Sequence, residues 1–154
     1  MVISIMERLS LPPVPLRTCQ REGRTFVFDI LRRKYVALTP EEWVRQHFVH
    51  YLICQKGYPQ ALMANEVQVV LNGMKRRCDT VLYRRDLSAR MIIEYKKSEV
   101  KITQAVFDQI TRYNMVLRVD YLIVSNGMEH YCCRMNYGKQ SYDFLPEIPD
   151  YKNL

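Results

Sequence analysis

The chain reads as an α/β domain whose elements run helix, three strands, helix, two strands. Three local signals predict this: a capped amphipathic segment, "TPEEWVRQHFVHYLICQKGY", an Asn72-Gly73 pair flanked by β-branched residues, and the alternating "ARMIIEYKK" that ends in charge. At 154 residues, folding can bury roughly two thirds of the unfolded surface around a single core.

Each element has its own reason. Residues 1–24, with Pro12, Pro13 and Pro15, read as a loosely structured lead-in to a domain spanning 25–154, and "RTFVFDILRRKYVALT" alternates enough for one or two extended segments. Thr39 as N-cap, Pro40 at the first helical position and Glu42 three residues after the cap form a capping box, and Gly57 supplies the stop. Val44, Phe48, Tyr51 and Leu52 recur at helical spacing, which predicts a stripe toward the core. Asn72-Gly73 predicts a tight hairpin, and "RRDLS" separates its second strand from a third. Ile102, Val106, Gln109, Ile110, Tyr113 and Leu117 share one helical stripe, after which "DYLIVSNGMEHYCCRM" gives two strands about a Ser-Asn-Gly turn.

Composition narrows the class of partner. The formal charge is +7, and Lys75, Arg76, Arg77 and Lys96, Lys97, Lys101 lie in clusters, a pattern suited to a polyanion because clustered cations release phosphate counterions on binding. Five cysteines with no C-x-x-C spacing predict free thiols in a reducing cytoplasm. The opening "MVISIMERLSLPPVPL" lacks both a secretory pattern and an uninterrupted apolar span, so no membrane association is expected.

The chemistry converges on Asp79, Glu94 and Lys96. If the second and third strands form a hairpin closing between Tyr83 and Arg90, Val81 faces Ile92 and Asp79 faces Glu94. The two carboxylates would then stand roughly 5 Å apart at Cβ, with Lys96 one pleat further on the same face. Like charges opposite each other are destabilising unless something offsets them, and a divalent cation would. Mg²⁺ suits two carboxylates and retained waters, and Lys96 could orient a nucleophilic water or stabilise a phosphoryl transition state. An E-x-K on a strand is also a common solvent-facing pair, so the triplet acquires weight from the buried Ile92-Ile93 run and the basic flanks.

Asp79 followed by "EYK" on the next strand resembles the PD-(D/E)xK nuclease superfamily. The strings "LTPEEWVRQHFVHYLI", "GYP", "KRRCDTVLY", "IIEYKK", "FDQITRYN" and "SNGMEHYCC" are similar, in this order, to the N-terminal nuclease domain of the type I restriction enzyme R subunit. The resemblance spans about residues 25–145 and implies a restriction-endonuclease-like mixed sheet flanked by helices, with Mg²⁺-dependent DNA cleavage and Mn²⁺ as a substitute. It implies Asp79 and Glu94 as metal ligands and Lys96 as the catalytic lysine. Gln109 and Tyr113 match a Q-x-x-x-Y element that supports the site, and a Gln on an apolar stripe would seek a buried polar partner.

The superfamily often adds an acid from the first helix. Glu42 is the closest candidate, although the capping box already explains it; Glu41 is expected to lie nearer the apolar face. Glu66 is another acid, with an edge-strand charge as its plainer reading. Lys75, Arg76, Arg77, Lys97 and Lys101 are the expected nucleic-acid contacts. His47 and His50 lie three apart but lack a third ligand, so surface or stacking roles are expected. Cys78 should point to the other face of its strand from Asp79. The chain's glycines make no G-x-x-x-x-G-K-[ST] cradle. A solitary nuclease domain is therefore expected, with a protein partner supplying motor or sequence specificity, and a homodimer left open. The rival expectation is a non-catalytic DNA-binding or assembly module, and a third is an RNA-directed nuclease.

Overall fold

The computed structural model describes residues 7–154. Strands β1 (Thr18–Arg21), β2 (Arg24–Asp29) and β3 (Lys34–Ala37) form a small antiparallel sheet and lead into helix α1 (Pro40–Lys56). A six-stranded sheet follows, from β4 (Met63–Leu71), β5 (Met74–Tyr83), β6 (Ala89–Tyr95), β7 (Tyr121–Ser125), β8 (His130–Asn136) and β9 (Ser141–Phe144), in spatial order β4-β5-β6-β7-β8-β9. Helix α2 (Gln104–Met115) connects β6 to β7, which pair in parallel, while every other pairing in the sheet is antiparallel. The expected mixed α/β class is the one found, and it is consistent with a restriction-endonuclease-like fold.

Helix α1 starts and stops where its residues dictate. Thr39 Oγ1 accepts the Glu42 N–H at 3.1 Å, Pro40 opens the first turn, and Gly57 takes the left-handed conformation (φ 73°) that ends it. Val44, Phe48 and Leu52 are buried, as their spacing predicts, and pack on Leu82, Met91, Ile93 and Ile123 of the sheet. Full burial of each such side chain contributes roughly 1.5–3 kcal/mol. The second half of the expected capping box does not form: the Glu42 carboxylate is taken by Arg32, Arg45 and Gln46 instead. Glu42 is also the buried member of its pair, and Glu41 the exposed one.

Helix α2 shields the other face, where Phe107 joins Val81, Ile92, Leu122 and Val124. Its core face differs from the expected stripe. Phe107, Thr111 and Asn114 are buried, whereas Gln109 and Tyr113 are exposed. Ile102 precedes the helix and Leu117 follows it, so a stripe anchored on those two residues runs out of phase with the true 3.6-residue period.

Two strands went unforeseen. β1 lies inside the stretch expected to be a loose lead-in, and β9 is a short edge strand too exposed to carry a burial pattern. Within the same lead-in Leu9 is buried in the α1-side core, and the Ser10 N–H donates to Gly127 O at 2.9 Å. Gly127 takes a left-handed conformation (φ +86°) that strains any L side chain, and a Cβ there would also press on Leu9 Cδ2 at 2.9 Å. Residues 1–6 lie outside the described part. No helix among the described residues is long and apolar enough to cross a membrane.

Candidate active site

Strands β5 and β6 pair Thr80 with Ile93, Val81 with Ile92 and Leu82 with Met91, and a register shift appears only beyond, between Leu82 and Tyr83. One rung before Thr80 the ladder stops, and there Asp79 stands opposite Glu94. Asp79 Oδ2 accepts the Tyr95 N–H at 2.9 Å in place of a strand partner, and the Asp79 side chain meets the Glu94 carboxyl. The two acids therefore share a side of the sheet end.

A paired irregularity prepares this. Glu66, opposite Asp79 on β4, has φ +55°, and the Glu66–Asp79 rung is missing from an otherwise continuous ladder between Asn65–Thr80 and Val67–Cys78. Side-chain alternation reverses across the break. Asn65 and Thr80 belong to the polar system beneath α1, while Val67 and Cys78 pack into the α2-side core with Val81 and Ile92. Cys78 thus shares the face of Ile92 and Glu94, contrary to the simple alternation expected of it. The break frees the Asp79 carbonyl, which accepts Arg45 Nη1 at 2.9 Å.

Glu94, Lys96, Arg77 and the α2 residues Gln109, Tyr113 and Asn114 line one cleft of about 290 Å³. A larger groove of about 500 Å³ between the start of α2 and β9 contains none of them. Lys96 is anchored through its N–H to Ser125 O at 2.9 Å, which extends the β6–β7 pairing past the strand end. Burial, then the charge of Asp79, then a hydrogen bond with Asp79 push the Glu94 carboxyl up to about 9, against the smaller opposing effects of Lys96 and Asn114. Gln109 and Tyr113 reach the cleft but are exposed, so Gln109 has no need of a buried partner. Arg76 lies 4.6 Å over the Tyr113 ring and donates to Tyr113 O at 2.8 Å, so that cation is committed to holding α2.

On the α1 side the polar groups interlock. Glu42 pairs with Arg32 at 2.8 Å and Arg45 at 2.9 Å, and Arg45 pairs with Glu66 at 2.8 Å, which in turn meets Arg77 at 3.1 Å. Tyr95 OH donates to Thr80 Oγ1, Thr80 to Asn65 Oδ1, and Asn65 Nδ2 to Asp29, whose carboxylate also pairs with Arg32. Asp29 is held low despite burial by Asn65, Arg32 and the Leu31 and Arg32 N–H groups. Glu42 is therefore consumed by two guanidiniums rather than left to ligate a cation, and Glu66 is a bridging acid rather than a free edge-strand charge. His47 is buried edge-on against Trp43, with ring centroids 4.3 Å apart, so it packs on an aromatic ring but is not at the surface; burial also holds it and His50 low.

Sequence reasoning missed Arg45, Asn65, Thr80 and Asn114. The first three are ordinary residue types joined only by distant strand pairing. Asn114 stood one place from the expected Tyr113 and fell off the assumed stripe. Lys75, Lys97 and Lys101 are exposed, as a nucleic-acid contact requires.

Two buried acceptors in the cleft, Glu94 Oε1 and Asn114 Oδ1, have no hydrogen-bond partner. No three His, Cys, Asp or Glu side chains converge among the described residues, which excludes a zinc-like protein cage there. Mg²⁺ asks for less: one or two carboxylates, with waters completing its shell. Asp79 and Glu94 fit that demand.

No curated protein matches the chain at a significant level. A family profile, type I restriction enzyme R protein N terminus, matches residues 40–149, which span α1 through β9 and every cleft residue named above. The chain belongs to the type I restriction enzyme R protein N-terminal family.

Proposed function

We propose that the chain is a Mg²⁺-dependent deoxyribonuclease domain that hydrolyses phosphodiester bonds, with Asp79 and Glu94 holding the cation. The observation that carries this is the meeting of Asp79 and Glu94 across the end of the β5–β6 ladder, with Lys96 lining the same open cleft as Glu94. When bound, the cation would supply an activated water and offset the phosphate charge. Asp79 is pre-set by the Tyr95 N–H on its carboxylate and Arg45 on its carbonyl, so it needs little reorganisation to ligate. Lys96, fixed at its backbone, brings a compact ammonium to the phosphate oxygens.

The substrate reading rests on the β4–β5 ribbon. From Val67 to Cys78 it extends past the β6 pairing. Val67, Val69 and Leu71 pack toward α2, while Gln68, Val70, Lys75 and Arg77 are exposed. Lys75 and Arg77 thus lead along the ribbon toward Asp79, a track suited to a nucleic-acid backbone. Membership of the R-protein family supports DNA as the substrate and a protein partner that supplies motor or sequence specificity.

Supercoiled plasmid incubated with Mg²⁺, Mn²⁺ or EDTA tests the reading. Metal-dependent cleavage is expected, falling at least about a hundredfold in Lys96→Ala and in Asp79→Asn. Cleavage that persists unchanged in both variants overturns the assignment. DNA binding without cleavage in the parent identifies a binding module instead, and degradation of RNA but not duplex DNA moves the substrate class.

A further inference from the structure

Asn114 is 1% exposed on the face of α2 that also buries Phe107 and Thr111, and its environment does not satisfy it. Its Nδ2 donates back to Ile110 O at 3.0 Å, which leaves Oδ1 buried with no donor. One turn earlier Thr111 is buried to a similar extent, but its hydroxyl donates to Phe107 O at 2.9 Å and no acceptor is left orphaned. The helix can therefore bury a polar residue without strain, and a leucine at 114 would fill the same space without an orphaned oxygen. The Asn114 amide also reaches the Glu94 carboxyl, whose Oε1 is itself buried and unpartnered, and both residues line the cleft that contains Lys96. Glu94 Oε1 and Asn114 Oδ1 are thus two hard oxygen acceptors on the lining of one cleft, with no donor to either.

We propose that Asn114 is a positioning residue of the cation site, its amide orienting Glu94 and its Oδ1 accepting a hydrogen bond from a water in the cation's shell. This rests on the reading of Asp79 and Glu94 as ligands. It assigns α2 a part in metal binding separate from the exposed Gln109 and Tyr113, which touch the cleft from its rim. Outer-shell partners of this kind alter metal affinity by about 10–100-fold when removed.

Titration calorimetry with MnCl₂ in the absence of DNA tests it on the parent, Asn114→Leu, Asn114→Ala and Asp79→Asn, with circular dichroism confirming each fold. The expected result is binding in the parent, loss in Asp79→Asn, and about tenfold weaker binding in Asn114→Leu and Asn114→Ala, which remove the amide and its oxygen together. Should Asn114→Leu not fold, Asn114→Ala decides: binding about tenfold weaker supports the proposal, and parental affinity overturns it. Parental affinity in a folded Asn114→Leu overturns the role of Asn114 while leaving the two ligands standing. No binding in the parent overturns both readings.

Discussion

The two faces of the six-stranded sheet treat polar groups in opposite ways. Beneath α1, Asp29, Arg32, Glu42, Arg45, Asn65, Glu66, Thr80 and Tyr95 are joined by hydrogen bonds and ion pairs, and among the described residues only Gln46 Oε1 is left without a partner there. Beneath α2, Glu94 and Asn114 are buried with orphaned acceptors in an open cleft. A saturated network is a support: its charges are already balanced, so it rigidifies whatever it touches and offers no ligand a gain. An unsaturated pair is a receptor, since a cation or its waters would supply the missing interactions. Arg45 ties the saturated network to the acid pair, holding Glu42 and Glu66 by ion pairs and donating to the Asp79 backbone carbonyl.

Breaking the saturated side should have the largest effect on the fold. Glu42→Gln removes one of the two carboxylates on each of Arg32 and Arg45, which keep Asp29 and Glu66, and weakens the charged hydrogen bonds at a cost of about 1.5–3 kcal/mol. Urea denaturation of the metal-free protein reads this directly. If Glu42 were instead a ligand, the variant would keep most of its stability and lose Mn²⁺ affinity, so the ratio of the two effects sharpens the contrast between support and receptor.

How much of this contrast was legible in the residues depends on range. Antiparallel register is arithmetic once a closing turn is placed, so Asp79 opposite Glu94 could be read two strands at a time, and Lys96 followed by period. The register shift at Leu82/Tyr83 falls on the far side of Val81 and does not disturb that count. The network beneath α1 could not be read this way, because Asp29 meets Asn65 across 36 residues and nothing local marks either as a partner. The reversal at Glu66 was equally hidden: a single left-handed residue inside a β-rich run leaves the composition unchanged. Asn114 was missed for a different reason, a helix phase set by Ile102 and Leu117, both outside the helix. Local patterns thus revealed the facing acids, whereas tertiary pairing determined what holds them and what accompanies them.

Breaking the unsaturated side should have a smaller effect, of opposite sign. Because the folded Glu94 carboxyl is pushed up to about 9 from its ordinary 4.5, its contribution to stability is complete below pH 4.5 and is lost as pH rises toward 9. His47, His50 and His130 are held low by burial and contribute the reverse slope. Subtracting Glu94→Gln from the parent removes the histidines and isolates the carboxyl. The metal-free variant should therefore stand close to the parent near pH 5 and exceed it in stability near pH 8, with a higher Tm there. Scanning calorimetry at the two pH values checks this, and a constant difference between parent and variant would show that Glu94 is not the titrating group.

The smallest effect should come from the rim, where the two faces meet solvent through Arg77. That guanidinium lines the cleft, is 67% exposed at its side chain, and pairs with Glu66 at 3.1 Å, so it spends little of its charge within the protein. Arg76, one residue away, is committed to Tyr113. Arg77→Ala should therefore weaken duplex DNA binding without regard to sequence and reduce the slope of log affinity against log salt by about 0.9, the loss of one phosphate contact. Arg76→Ala should leave that slope nearly unchanged and instead lower thermal stability through α2. Fluorescence anisotropy from 50 to 200 mM salt, a range suited to counterion release, separates the two. Equal slope changes in both variants would mean that the latch on Tyr113 opens to DNA, and that the ribbon contacts its substrate on both faces.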